Sequence, residues 1–517
     1  FDLSIFNSSL DRAGEKYLGI GKIELKIDKS KIYDYYQKNK RWRKKIIEYL
    51  KRDLEITYRL GEYFLEAIKK VEEKANRKID RFYSCGYLAS LLIKRNFEKI
   101  SMSKEAEDLI TRNYFGGRIE CIRRGYFEYV YQYDIKSAYP SSFSQLKVLN
   151  KKTIITIDNK INKDADYFYI DCELSLKDGL KIYPIPFRIN NLIVFGQIKK
   201  KNVVLNNFEF EILEKYNLIE KIKIYKVVNI FSNSDETFYN FVYDLYRERE
   251  KGELEYYIYK IILNSLYGKF AEKENIYVSF DSDLNLIRKK LKKDFLFNLY
   301  KNYCENLKRY NFNCKCDVCK EYKSLIKTMR TGRIDITSEG ILRKKFRYGA
   351  INNIIYASLI TSLTRLKLFE DTFKNQDDIV MFMTDGIITL KKFLKEESVL
   401  GGWELKNEGE AIILGSGVYQ VNKEVKTRGF NLVDDLKELL LKHRNKDYID
   451  LKTKTRLSAG IIIRQTNKYN FSDLNKIVEI DKRLNINFDK KRLWLDNFKN
   501  CEDVLKRNID SNSIIIE

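Results

Sequence analysis

Lys260-Ile-Ile-Leu-Asn-Ser-Leu-Tyr-Gly268 places Lys260, Asn264 and Tyr267 at i, i+4 and i+7. On a helix that spacing sets an ammonium, an amide and a ring along one face. A plain amphipathic helix can share the spacing, but it has no need of the full Asn-Ser-Leu-Tyr-Gly ending. Upstream, Phe127-Glu-Tyr-Val-Tyr-Gln-Tyr-Asp134 is rich in aromatic and β-branched residues and reads as a strand. A turn follows in Ile135-Lys-Ser-Ala-Tyr-Pro140, then a short helix near Pro140. Downstream, Ile379-Val-Met-Phe-Met383 and Ile387-Ile-Thr-Leu390 flank Thr-Asp-Gly as two strands of a hairpin. Its turn can bring Asp385 beside Asp134. Asp-Gly is common in hairpin turns for backbone reasons alone, so the order of the three segments carries more weight than the last of them.

Transfer of a nucleotidyl group needs two divalent ions, and hard Mg²⁺ takes oxygen ligands, so two carboxylates are the least a protein can contribute. Asp134 and Asp385 are the candidate pair. The three segments together resemble motifs A, B and C of the family B DNA polymerases. The resemblance implies that Asp134 and Asp385 bind two Mg²⁺ (or Mn²⁺) and carry catalysis. It further implies that Lys260, Asn264 and Tyr267 face the incoming nucleotide with Ser137, and that Tyr139 is a steric gate against a ribose 2′-OH. Arg247, with Arg249, is a candidate phosphate contact, although either can instead pair with a glutamate on the helix surface. Tyr114-Phe-Gly-Gly117 is similar to the family's Tyr-x-Gly-Gly element and implies DNA contacts from Tyr114, Gly116 and Gly117. Lys426-Thr-Arg428 resembles the Lys-x-Tyr element that steadies the primer terminus, with Arg428 where the family has Tyr. The sequence also departs from the family at motif C, where Met383-Thr-Asp-Gly386 replaces the usual Asp-Thr-Asp-Ser. That change bears on rate or metal affinity more than on the existence of activity.

Tyr49-Leu-Lys-Arg-Asp53 resembles the third exonuclease motif of the family, with phenol and carboxylate one turn apart on a helix expected over Trp42 to Glu73. No Asp-x-Glu motif precedes it. Residues 1–100 are therefore expected to be a truncated or degenerate exonuclease-like domain in which Tyr49 and Asp53 are a remnant, without proofreading.

Composition agrees with a nucleic-acid partner. The chain has 517 residues, with 97 Lys and Arg against 73 Asp and Glu, a formal net charge of +24. Such an excess attracts polyanions, although a general bias toward Lys, Ile, Asn and Tyr supplies part of it. No apolar run approaches the roughly 18 residues that span a bilayer, and no cleavable leader is evident. An intracellular protein of a prokaryotic or viral host is expected, with no membrane partner. Cys304, Cys314, Cys316 and Cys319 form a group that can hold one structural Zn²⁺. Cys85, Cys121, Cys172 and Cys501 are scattered and read as reduced thiols.

The expected fold class is α+β, a right-hand polymerase with palm, fingers, thumb and two insertions. Its expected divisions are palm over 101–190, a first insertion over 191–235, fingers over 236–274, a second insertion with the cysteine group over 275–345, palm again over 346–445, and thumb over 446–517. A helix is expected from Asn207 to Tyr216 within the first insertion. Two long gaps between the motifs point to the protein-primed or viral and mobile-element branch. The implied partners are primer-template DNA and dNTPs, a terminal protein primer is compatible, and a monomer is expected. The competing class is a catalytically weakened paralogue that binds primer-template as a structural replication factor, motivated by Met383.

Overall fold

The computed structural model describes residues 8–27, 32–38, 40–79, 85–94, 97–98, 100–190, 192–279, 334–337, 340–349, 351–428, 435–457, 473 and 476–517. The cysteine group at Cys304, Cys314, Cys316 and Cys319, and with it most of the expected second insertion, lies outside these residues.

The strand expected at Phe127 to Asp134 runs Arg123–Ile135. It is the spine of an antiparallel sheet. On one side it pairs with Gly386–Thr389, then Ile379–Thr384, then Arg118–Cys121. On the other it pairs with Trp403–Gly415, followed by Val418–Val421 and Glu424–Thr427. Both predicted strands of the motif C hairpin are present, separated only by Asp385.

Behind the sheet lies the helix Ile354–Thr372, started by Asn353, whose side chain accepts from the Ile355 and Tyr356 amides. Most of its residues are buried on all sides, as an apolar helix wedged between layers must be. The short helix Ala138–Ser144 carries Pro140 in its first turn, where a missing N–H costs nothing.

The predicted helical region after Thr237 forms two helices, Tyr239–Glu248 and Glu253–Phe270, broken next to Gly252. Against them packs the helix Lys40–Ala75, which includes the predicted Trp42 to Glu73. Ile56, Leu60, Phe64, Ile68 and Val71 share one hydrophobic core with Ile258, Ile262, Leu266 and Tyr356. Lys74 pairs with Glu248 at 3.0 Å, and Lys70 pairs with Glu255. Residues of the expected exonuclease-like segment are therefore continuous in packing with the helix that carries Lys260.

A second antiparallel sheet joins Ile154–Asp158, Ile219–Phe231, Tyr167–Leu176 and Lys201–Asn206, in that order. Its strands pair across the expected boundary at 190 and 191. The helix Asn207–Lys215, predicted to Tyr216, begins in a capping box between Asn206 and Glu209. Near the C-terminus, Tyr448–Arg456 and Ile477–Asn485 form a hairpin. The chain then returns, because Asn508–Asn512 pairs with Arg123–Gly125 and Ile515–Ile516 with Gln197–Ile198. The last stretch of the expected thumb thus belongs by hydrogen bonding to the central sheet. No described helix is long and apolar enough to cross a membrane.

Candidate active site

Asp134 sits near the end of its strand, directly opposite Gly386 on one neighbour and Glu404 on the other. Asp385 occupies a turn so tight that its amide donates to the Met383 carbonyl at 2.7 Å, and its own carbonyl accepts from the Ile135 amide at 2.9 Å. Thr384 takes the left-handed conformation, φ +65°, an uncommon state for a β-branched residue. The hairpin thus fixes Asp385 beside Asp134. Burial, and then the charge of Asp134, pushes the Asp385 carboxyl up to about 6. Burial likewise raises Asp134, with Lys406 opposing and Glu424 and Glu404 adding to the rise. Two partly buried carboxylates with so little local compensation form a site whose chemistry suits divalent cations.

The approach is close at Gly386. A methyl group built there would lie 2.1 Å from Asp134 Oδ1 and 2.9 Å from the Tyr133 carbonyl oxygen. Serine, the residue the polymerase motif usually has, does not fit this backbone without moving Asp134. The departure at Gly386 is therefore matched to the geometry of the pair.

Tyr139 and Tyr267 stack with ring centroids 4.0 Å apart and 28° between planes. Gly117 lies against both Tyr139 and Thr384, and a methyl there would come within 2.6 Å of the Tyr139 hydroxyl and of Thr384 Cγ2. Residues from all three motifs and from the Tyr114–Gly117 loop thus meet at one place. Asn264 is on the same helix and exposed.

Of the two arginines weighed from sequence, Arg249 reaches the site. Its Nη1 donates to Ser137 Oγ at 2.6 Å, and Ser137 has a left-handed backbone, φ +51°. The Arg249 guanidinium lies 4.8 Å from the centre of the Tyr256 ring, and Lys260 Nζ lies 5.2 Å from it. Burial raises the Tyr256 phenol, but Lys260 and Arg249 together outweigh it and lower its pKa. Arg247 is exposed and lies over the Tyr243 ring at 4.6 Å instead. The two arginines thus face different sides, Arg249 toward Ser137 and Arg247 toward Tyr243.

Tyr114 is half-buried, and its loop is gripped from behind. Arg365 Nη1 donates to the Phe115 and Gly116 carbonyls, each at 3.0 Å, while its Nη2 pairs with Glu209 at 3.0 Å. Both side chains are 1% exposed. Glu209 also accepts from Asn113 at 2.6 Å and from Ser362 at 3.0 Å. Sequence reasoning missed this pair. Its one legible signal was an arginine inside the otherwise uncharged Ile354-to-Leu366 run.

Lys426 pairs with Glu424 at 2.7 Å on the strand beside Tyr419. Burial raises the Tyr419 phenol, with Glu424, Asp134 and Asp385 adding to the effect, so this strand belongs to the site's surroundings. Arg428 packs its stem against Gly417. Glu404, also missed from sequence, lies across from Asp134 and is held by Lys406 at 2.5 Å. The Tyr49 and Asp53 pair faces elsewhere. Asp53 is bound by Lys22 at 2.8 Å, and Lys22 lies 5.2 Å from the centre of the Tyr49 ring. A lysine ammonium thus neutralises the carboxylate of the expected remnant. Among the described residues no group of three or more potential ligands could hold a metal, and Cys121, Cys172 and Cys501 are buried free thiols.

Known proteins resemble this chain in sequence and in fold. A DNA polymerase of Acidianus bottle-shaped virus is 26% identical over 394 residues, covering 71% of this chain and 47% of that protein. A DNA polymerase of Methanocaldococcus jannaschii is 28% identical over 226 residues, covering 39% of this chain and 13% of that one. The chain thus spans about half the length of the viral relative or less. Among solved structures, Phi29 DNA polymerase complexed with primer-template DNA and incoming nucleotide matches with a TM-score of 0.55 and 13% identity, covering 93% of this chain and 78% of that one. The same enzyme with single-stranded DNA gives a TM-score of 0.57 and 15% identity, with the same coverage. These matches show a shared mixed α/β fold. The model of DNA polymerase type B, organellar and viral, matches residues 15–311, more than half of the chain; the chain belongs to that family.

Proposed function

We propose that this chain adds deoxynucleotides to the 3′ hydroxyl of a primer under direction of a DNA template. In this reading the central sheet and its hairpin form a palm, the helices Tyr239–Glu248 and Glu253–Phe270 form fingers, and the hairpin Tyr448–Arg456 with Ile477–Asn485 lies in a thumb. The sheet over 154–231 would be an insertion. The observation that carries the proposal is that Asp134 and Asp385 lie side by side on adjoining elements of one sheet, near the Tyr139 and Tyr267 stack, with Arg249 and Lys260 gathered on Tyr256 and Arg249 bonded to Ser137.

Asp134 and Asp385 would hold two Mg²⁺ or Mn²⁺. When bound, the ions lower the charge barrier to attack by the primer hydroxyl on the α-phosphorus and to departure of pyrophosphate. The chain's own residues do the rest. Lys260 and Arg249 offset charge on the triphosphate, and Arg249 is aimed by Ser137. Tyr139, backed by Tyr267, leaves no room for a 2′-OH. Gly116 and Gly117 let a template backbone approach closely. Lys426 and Arg428 would sit along the primer strand, as contacts that position without reading sequence.

Extension of a labelled primer on a template with a single 5′ overhang tests this. Incorporation of the complementary dNTP with Mg²⁺ or Mn²⁺, and not of the other three, is the expected result. Tight primer-template binding without incorporation in either metal would instead favour a structural replication factor, the reading that Met383 motivates.

A further inference from the structure

The helix Lys40–Ala75 carries two apolar faces. The first, with Ile56, Leu60, Phe64, Ile68 and Val71, enters the core shared with the helix of Lys260. About 100° round the helix axis, Ile47, Leu50, Leu54, Tyr58 and Leu65 form a second stripe that stays exposed, and Leu54 and Tyr58 are each 67% accessible. At 1.5 Å per residue the stripe is about 27 Å long, and apolar surface on that scale marks a contact surface in soluble proteins. Its C-terminal end borders an open groove lined by Glu62, Leu65, Glu66, Ile68 and Ile79. Gly61 lies on the same stripe, and a methyl group built there meets nothing within 4 Å. A glycine inside a helix costs about 1 kcal/mol relative to alanine. No packing among the described residues accounts for it, whereas a second backbone passing close by would use it.

The charges along one flank of the stripe are unevenly divided. Lys40, Lys44 and Lys51 lie in its N-terminal half and Glu62, Glu66 and Glu73 in its C-terminal half, with Glu48 and Lys69 as exceptions. Lys44, Lys51, Glu62 and Glu66 are exposed and make no ion pair among the described residues. We propose that this stripe is the contact between two copies of the chain, paired antiparallel about a two-fold axis near Ile56. Only the antiparallel sense brings the same flank of both helices together, so that each basic half meets the other copy's acidic half. In that register Leu54 faces Tyr58, Ile47 faces Leu65, and Lys51 reaches Glu62, each across the axis. The contact is self-complementary and closed, so it stops at two copies. A nucleic acid would engage the basic half alone and leave the apolar stripe and the glutamates without a partner. Pairing leaves the first face on the Lys260 helix, and it holds whether or not the proposed function does.

Sedimentation velocity of the full chain, freed of nucleic acid, tests the pairing over about 1 to 50 µM. The average mass should rise with concentration toward twice that of one chain. Leu54→Glu, at an exposed position outside the core, should weaken the dimer about tenfold or more. Lys51→Glu and Glu62→Lys should each weaken it about fivefold, because the symmetric contact places two like-charge pairs in the interface. The double variant Lys51→Glu with Glu62→Lys should recover the wild-type dissociation constant to within about twofold. These two residues are three helical turns apart in one chain, so recovery reports a contact between chains. A single-chain mass at every concentration overturns the proposal. A dimer as tight in Leu54→Glu as in the wild type also overturns it, since the copies then meet elsewhere. If the charge exchange leaves the double variant as weak as the single ones, the antiparallel pairing is wrong.

Discussion

Asp385 is the residue with the most exposed consequences. Its folded carboxyl, pushed up to about 6 by burial and Asp134, compares with roughly 3.9 in an unfolded chain. Between those values the folded chain keeps a proton that the unfolded chain has released. The stability contributed by that proton is full below about pH 4 and is lost as pH rises through about 6. Metal-free protein at neutral pH therefore holds a repulsive pair, and Asp385→Asn should stabilise it by on the order of 3 kcal/mol. Urea unfolding at pH 7.5 and at pH 4 checks this, since the gain should vanish at the lower pH. In the proposed catalysis the sign reverses, because Asp385 would have to be ionised to hold a metal ion. At limiting Mg²⁺, extension should rise with pH, and added Mg²⁺ should move the midpoint lower. Gly386 gives a second expectation at this scale. Gly386→Ser restores the familiar motif but drives a Cβ to within 2.1 Å of Asp134 Oδ1, so single-nucleotide incorporation should fall by about tenfold or more. A faster variant would show that the glycine is a loss and not an adaptation.

At the scale of elements, the parts legible in the sequence are those fixed by local periodicity. The spine strand, the helix bearing Lys260 and the Asp385 hairpin follow from alternation, from 3.6-residue spacing and from a turn between two apolar runs. The choice between Arg247 and Arg249 was not legible, because it depends on which side of a charged helix meets Ser137. The Glu209 and Arg365 pair was hidden for a related reason, joining a helix cap to a helix 156 residues away. Removing one member leaves the other charged and buried, which costs about 3–5 kcal/mol. Glu209→Ala should therefore lower stability by that amount in urea titration and loosen the loop that Arg365 holds. If the urea midpoint of Glu209→Ala matches that of the wild type, the pair does not brace the loop.

Over the whole molecule, packing and strand pairing cross the divisions expected from the sequence. The helix Lys40–Ala75 shares a core with the helix of Lys260, and the C-terminal strand Asn508–Asn512 closes onto the start of the strand Arg123–Ile135. Neither relation is visible in one sequence, since both come from packing between distant segments. Leu60 is fully buried in the shared core. Leu60→Ala should cost about 2–5 kcal/mol and also raise the KM for dNTP, because the helix that presents Lys260 loses support. A stability loss with unchanged KM would show the two regions to be independent.

The central claim is that Asp134 and Asp385 act together in templated nucleotidyl transfer, and single-turnover incorporation of one complementary dNTP tests it most directly. Wild-type chain, Asp134→Asn and Asp385→Asn are compared on the same primer-template, with DNA binding measured alongside. Each substitution should slow incorporation by about a thousandfold or more while primer-template binding persists; variants that incorporate as fast as the wild type would contradict the account.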